Sequence, residues 1–106
     1  MSDDFRVCAE RELEYRPRDS GESRKVVVRI GVPEQDGTHW RCATQLAGAP
    51  QFGDVFLAHG EDSLQALQLA LDAVAIRVKA LDSGGVLTWD GEPEIGIREP
   101  DPKAGY

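Results

Sequence analysis

The sequence predicts an α+β domain: an antiparallel β-meander of about four strands, one long helix packed on the sheet, and a short C-terminal strand. Three observations carry this. Apolar residues alternate with polar ones through most of the first half, residues 63–82 switch to spacings of three and four, and turn-forming residues separate the runs.

The first strand covers residues 5–15, where Phe5, Val7, Ala9, Arg11, Leu13 and Tyr15 alternate with Arg6, Cys8, Glu10, Glu12 and Glu14. Residues 17–23 have turn composition, and behind them Val26, Val28, Ile30 and Val32 define a second strand joined to the first as a hairpin. Residues 33–38, with Asp36-Gly37 inside them, form the next turn. Trp40, Cys42, Thr44 and Leu46 then share the inward face of a third strand. Residues 52–59 make a fourth strand, in which the crowding of Val55, Phe56 and Leu57 leaves the inward face open.

Asp62 followed three residues later by Gln65 is a capping-box pattern, so a helix starts near Ser63. Ser83-Gly84-Gly85 stops it near Asp82. One stripe, Leu64, Leu67, Leu71, Val74, Val78 and Leu81, flanked by Ala70 and Ala75, is expected to pack on the sheet. Burial of six such side chains contributes on the order of 10 to 15 kcal/mol before chain entropy is set against it, so a charge at Leu71 should unfold the domain. A second stripe, Ala66, Leu69, Ala73, Ile76 and Ala80, lies on a face turned away from the first. The polar remainder is a narrow strip of Gln65, Gln68, Asp72 and Lys79, unlike an ordinary surface helix. Something else should cover Leu69 and Ile76: a curled sheet, the C-terminal segment, or another molecule. Val86, Leu87, Thr88 and Trp89 form the last short strand, and Ile95 and Ile97 alternate weakly beyond it.

The 106 residues fit one domain over 1–106, with an ordered core over 5–98 and a frayed tail over 99–106. Hydrophobic residues at 41% suffice for a core. The formal charge of −7 is uneven: residues 1–50 carry nine acids against eight bases, and residues 51–106 ten against four. Such a field repels phosphate backbones and anionic lipid, which argues against nucleic acid and membrane surfaces, and favours a basic protein partner. There is no export signal and no long apolar run, so the expected location is cytoplasmic, with Cys8 and Cys42 as reduced structural thiols.

No constellation for catalysis, cofactor or metal stands out. His39 and His59 lack any metal-ligand spacing with the nearby Asp54, Glu61 and Asp62. The glycines form no phosphate-cradling loop, and a mid-strand Cys42 facing the core lacks the cationic neighbour a reactive thiolate needs. Trp40 and Trp89 are read as core residues, not as stacking platforms, because bases do not interleave with them.

Trp40-Arg41-Cys42 in a strand, the helix entry from Gly60 through Asp62-Ser63-Leu64-Gln65-Ala66-Leu67 to Leu71, and Leu87-Thr88-Trp89 together resemble a group of small uncharacterised bacterial proteins, a family of unknown function. The resemblance covers residues 25–90 and implies this order of elements and a bacterial origin, with no catalytic residues to carry over. At the level of fold, size and charge the chain is also similar to bacterial immunity proteins and antitoxins. The leading reading is a non-enzymatic acidic protein-binding module, immunity-like, with Leu69 and Ile76 as apolar anchor and Asp90, Glu92, Glu94 and Glu99 as electrostatic steering. Two alternatives stand beside it: a homo-oligomer, such as a homodimer, formed through the same helix stripe, and a small ligand-binding domain or enzyme with a pocket near His59.

Overall fold

Alternate residues of the first half do line one face of a sheet in the computed structural model, which describes residues 5–98. Leu13 and Tyr15 point inward from β1 (Val7–Pro17), Val26, Val28 and Ile30 from β2 (Arg24–Gly31), and Cys42, Thr44 and Leu46 from β4 (His39–Ala47). A three-residue strand, β3 (Glu34–Asp36), precedes β4, and β5 (Phe56–Gly60) follows it. Helix α1 (Ser63–Asp82) and β6 (Gly85–Thr88) complete the order. The class is α+β, with every strand pair antiparallel.

The register fixes the strand order. Trp40 lies opposite both Gln35 of β3 and Gly60 of β5, and Thr44 opposite both Ile30 of β2 and Phe56 of β5. A strand has two edges, so β2 and β3 share one edge of β4 and β5 takes the other. Strand β3 therefore continues β2 beyond a break at Val32 and Pro33. Strand β6 pairs with β1 at the far side. The sheet runs β5, β4, β2, β1, β6, and α1 must cross its inner face from the β5 edge to the β6 edge.

Several boundaries differ from the sequence expectation, each for a local reason. The first strand is displaced toward the C-terminus because a bulge between Val7 and Ala9 breaks the alternation. Phe5 consequently lies against Gly31, under the Arg29 guanidinium at 4.8 Å. The turn over residues 33–38 contains β3, which returns to β4 through Gly37 (φ 65°) and Thr38 alone, the two-residue loop a tight hairpin uses. The fourth strand starts at Phe56, because Gly48 (φ 88°) and Gln51 (φ 72°) coil the chain before it. Within β5, Ala58 and Gly60 face the core and Leu57 points out.

The larger correction concerns the face that α1 presents. Ala66, Ala70, Val74, Val78 and Leu81 are buried against the sheet, whereas Leu64 and Leu71 remain 62% and 48% exposed. The predicted stripe holds for Val74, Val78 and Leu81 and in part for Leu67, which packs half-buried against the core, and fails for Leu64 and Leu71, where Ala66 and Ala70 take the inward positions. The cause is the short link from β5: a Cβ on Gly60 would sit 2.5 Å from the Ala66 backbone nitrogen. Only small residues fit at so close an approach, so the helix is rotated with Ala66 and Ala70 inward. A charge at Leu71 is therefore not expected to unfold the domain.

The last described segment, residues 93–98, lies along the other flank of α1. Ile95 and Ile97 pack against the core, and Arg11 Nη1 donates to the Ile95 carbonyl at 3.1 Å while its guanidinium stacks 3.7 Å from the Trp89 ring centroid. Glu99 and the tail over 99–106 lie outside the described residues.

Candidate functional site

The entry to α1 sets the angular position of every helix side chain, including Leu69 and Ile76. Asp62 adopts an extended conformation and its Oδ1 accepts from the Gln65 N–H at 2.8 Å, the cap that the sequence pattern predicts. The reciprocal arm is shifted by one residue: Gln65 Oε1 accepts from the Glu61 N–H at 2.7 Å, one position before the cap. With both ends of the link held, Ala66 faces inward, and Leu69 and Ile76, at 42% and 60% exposure, face away from the sheet centre on the side of β5.

There they meet an edge strand. Among the described residues β5 pairs with β4 alone, so its outer edge is open. A groove of about 580 Å³ runs between β5 and α1, lined by Leu57 and His59 on the strand side and Leu69, Ala73 and Ile76 on the helix side. Arg77 closes the apolar surface at one end by stacking on Phe56, with 4.2 Å to the ring centroid. Acids stand at both ends of β5, Asp54 before it and Glu61 and Asp62 after it, all exposed. Glu61 also lies 3.9 Å from His39 Nε2.

The acids expected to act with this anchor are not beside it. Asp90 (φ 52°) and Gly91 (φ 81°) occupy the centre of a two-residue turn in which Trp89 and Glu92 exchange both backbone hydrogen bonds, at 2.8 and 2.9 Å. Positive φ at both centres defines the type I′ turn, for which Asp-Gly is a favoured pair. That dipeptide is the sequence signal for a hairpin here. The turn follows β6, so Asp90, Glu92 and Glu94 lie beyond the opposite edge of the sheet from β5. Leu69 and Ile76 share one surface; the acids form a separate one.

The other candidate groups are separated as well. His59 is exposed on β5, at the rim of the groove, and His39 stands at the start of β4. Among the described residues no group of three His, Cys, Asp or Glu side chains is placed to hold a metal ion. Cys8 and Cys42 are free thiols on β1 and β4 whose sulfurs both donate to the Gly31 carbonyl, at 3.4 and 3.2 Å. Cys8 is exposed and Cys42 buried. Burial, reinforced by the nearby Cys8, pushes the Cys42 thiol above its ordinary value, the Gly31 backbone acting weakly against this. A thiol so protonated is a packing element, not a nucleophile.

Over the described residues, sheet order, crossing helix and open edge together define an α+β domain with one helix on an antiparallel sheet. Among the described residues no helix is long and apolar enough to cross a membrane. The chain belongs to the family described as a domain of unknown function, DUF6968, whose profile matches residues 9–99. No curated protein and no solved structure matches it.

Proposed function

We propose that this domain binds another protein by strand addition at the outer edge of β5, with Leu69 and Ile76 of α1 as apolar anchor. The observation that carries this reading is the coincidence of an open edge strand with an exposed apolar helix flank beside it. Backbone groups along the edge supply hydrogen bonds in register, and the groove receives alternate side chains of an incoming strand. Asp54 at one end of β5 and Glu61 and Asp62 at the other favour an extended segment that is apolar at alternate positions and carries lysine or arginine at its ends. Asp90, Glu92 and Glu94 add to the negative field that attracts a basic partner from a distance without touching it. The domain is assigned to the cytoplasm, where a reducing environment suits two unpaired thiols.

Self-association through the same edge is disfavoured by charge. A two-fold antiparallel pairing of β5 with its own copy, centred on Ala58, would set Asp54 opposite Asp62, and like charges across a strand pair are destabilising. The test is titration of the isotope-labelled chain with a synthetic strand of alternating valine and threonine carrying terminal lysines. Amide shifts along β5 that vanish in the Leu69→Ser/Ile76→Ser variant are expected. Shifts elsewhere, no saturation, or a dimer by light scattering in the absence of peptide would each overturn the proposal.

A further inference from the structure

On the other flank of α1, segment 93–98 does not close completely over the sheet. It leaves a groove of about 420 Å³ with Val28, Ile30 and Val74 as floor and Leu71 and Ile97 as walls. Leu71, half exposed on the rotated helix, borders this hollow. Its volume falls within the range of small-molecule sites, which are apolar with a few placed polar groups.

The polar groups have a sign opposite to that of the protein as a whole. Three charged residues line the groove: Arg11, Arg98 and Glu10. Glu10 is also 3.9 Å from Arg29, whereas Arg11 and Arg98 have no salt-bridge partner among the described residues. Arg11 is held in place by its stacking on Trp89 and its bond to Ile95, and Gly96 (φ 73°) lets the backbone pass so close that a Cβ there would lie 2.9 Å from Arg11 Nη1. The guanidinium is thus fixed before any ligand arrives, with further N–H donors not used by the Ile95 bond.

We propose that this groove binds a hydrophobic monoanion, an alkyl or aryl carboxylate, with its tail on Val28, Ile30 and Leu71 and its carboxylate between Arg11 and Arg98. A guanidinium fork matches a carboxylate in geometry as well as charge. This site lies on a different flank of α1 from the proposed strand-binding edge, and neither proposal depends on the other.

The test uses the full chain and sodium octanoate, followed by amide and methyl shifts. Saturable shifts centred on Val28, Ile30, Leu71 and Ile97 are expected, with binding about tenfold weaker in Arg98→Ala, which leaves the core intact. Leu71→Trp, which fills the hollow, should abolish binding while the folded spectrum is retained. Octanol, with the same tail and no charge, should bind at least tenfold more weakly than octanoate. Equal binding of octanol, indifference to Arg98→Ala or Leu71→Trp, shifts confined to the Leu69 and Ile76 flank, or no saturation would each overturn the assignment.

Discussion

The two flanks of α1 carry comparable apolar content and end differently. On the side of β6, Ala75 and Val78 are buried, and Ile95 and Ile97 of the returning chain pack beside them. On the side of β5, Leu69 and Ile76 face outward beside a strand edge that nothing among the described residues pairs. A helix apolar over most of its circumference asks for cover all round. Among the described residues the chain supplies it on one side only, through a segment pinned by Arg11 and Trp89. An apolar pattern therefore reports the need for a partner surface without saying whether that surface lies in the same molecule.

The contrast can be broken most severely at the seam both flanks share. Gly60→Val should destabilise the domain by about 3 kcal/mol or prevent folding, since its Cβ meets Ala66 backbone and not a movable side chain; urea denaturation measures the loss. On the covered flank, Trp89→Ala removes the ring under Arg11 and loosens segment 93–98, with an expected cost of about 2 kcal/mol by the same assay. Exchange of the amides near Ile95 should accelerate in that variant while those of β4 stay protected.

The same contrast between open and covered holds for the two thiols. The Cys42 thiol, pushed above its ordinary value of 9.0, keeps the folded state more protonated than the unfolded chain. Its contribution to stability is fully present below that value and declines as pH rises beyond it. Unfolding midpoints should thus fall more steeply above pH 9.0 in the natural chain than in Cys42→Ala. At neutral pH a thiol reagent should modify Cys8 within minutes and leave Cys42 untouched until the protein unfolds.

The smallest effect belongs to the open flank. Leu69→Ser with Ile76→Ser should cost about 1 kcal/mol, because the two side chains, at 42% and 60% exposure, give up only part of their contacts and neither belongs to the core. A loss above about 2 kcal/mol would mean that this flank is covered, and would remove the contrast altogether.

Much of this architecture was legible before any coordinates. The alternation of Val26, Val28 and Ile30 and of Cys42, Thr44 and Leu46 named the inward residues of the two central strands, because a side chain on a paired strand has only two faces to choose from. Asp62 with Gln65 placed the first turn of α1, since an N-cap is decided within a few residues; Ser83-Gly84-Gly85 marked its end, although Ser83 closes it in the right-handed conformation and neither glycine is left-handed. That Leu69 and Ile76 lie off the sheet-facing stripe was also readable, as the excess of a helix with too many apolar positions for one sheet; whether they stay exposed was not.

What the sequence left undecided depends on contacts between distant segments. Whether leucines or alanines of the first two helical turns face the sheet turns on the approach of Gly60 to Ala66, a clearance that no periodicity encodes. The separation of Asp90, Glu92 and Glu94 from Leu69 and Ile76 follows from β6 pairing with β1, so that close neighbours in the chain come to opposite edges of the sheet. The covering of one helix flank, and the hollow left beside Leu71, rest on Arg11 reaching Ile95 across 84 positions of sequence. Local pattern determined which elements form and which face of each strand is apolar. Tertiary packing decided how the helix is rotated on the sheet and which of its flanks segment 93–98 covers, because those depend on close contacts made only when distant parts of the chain are assembled.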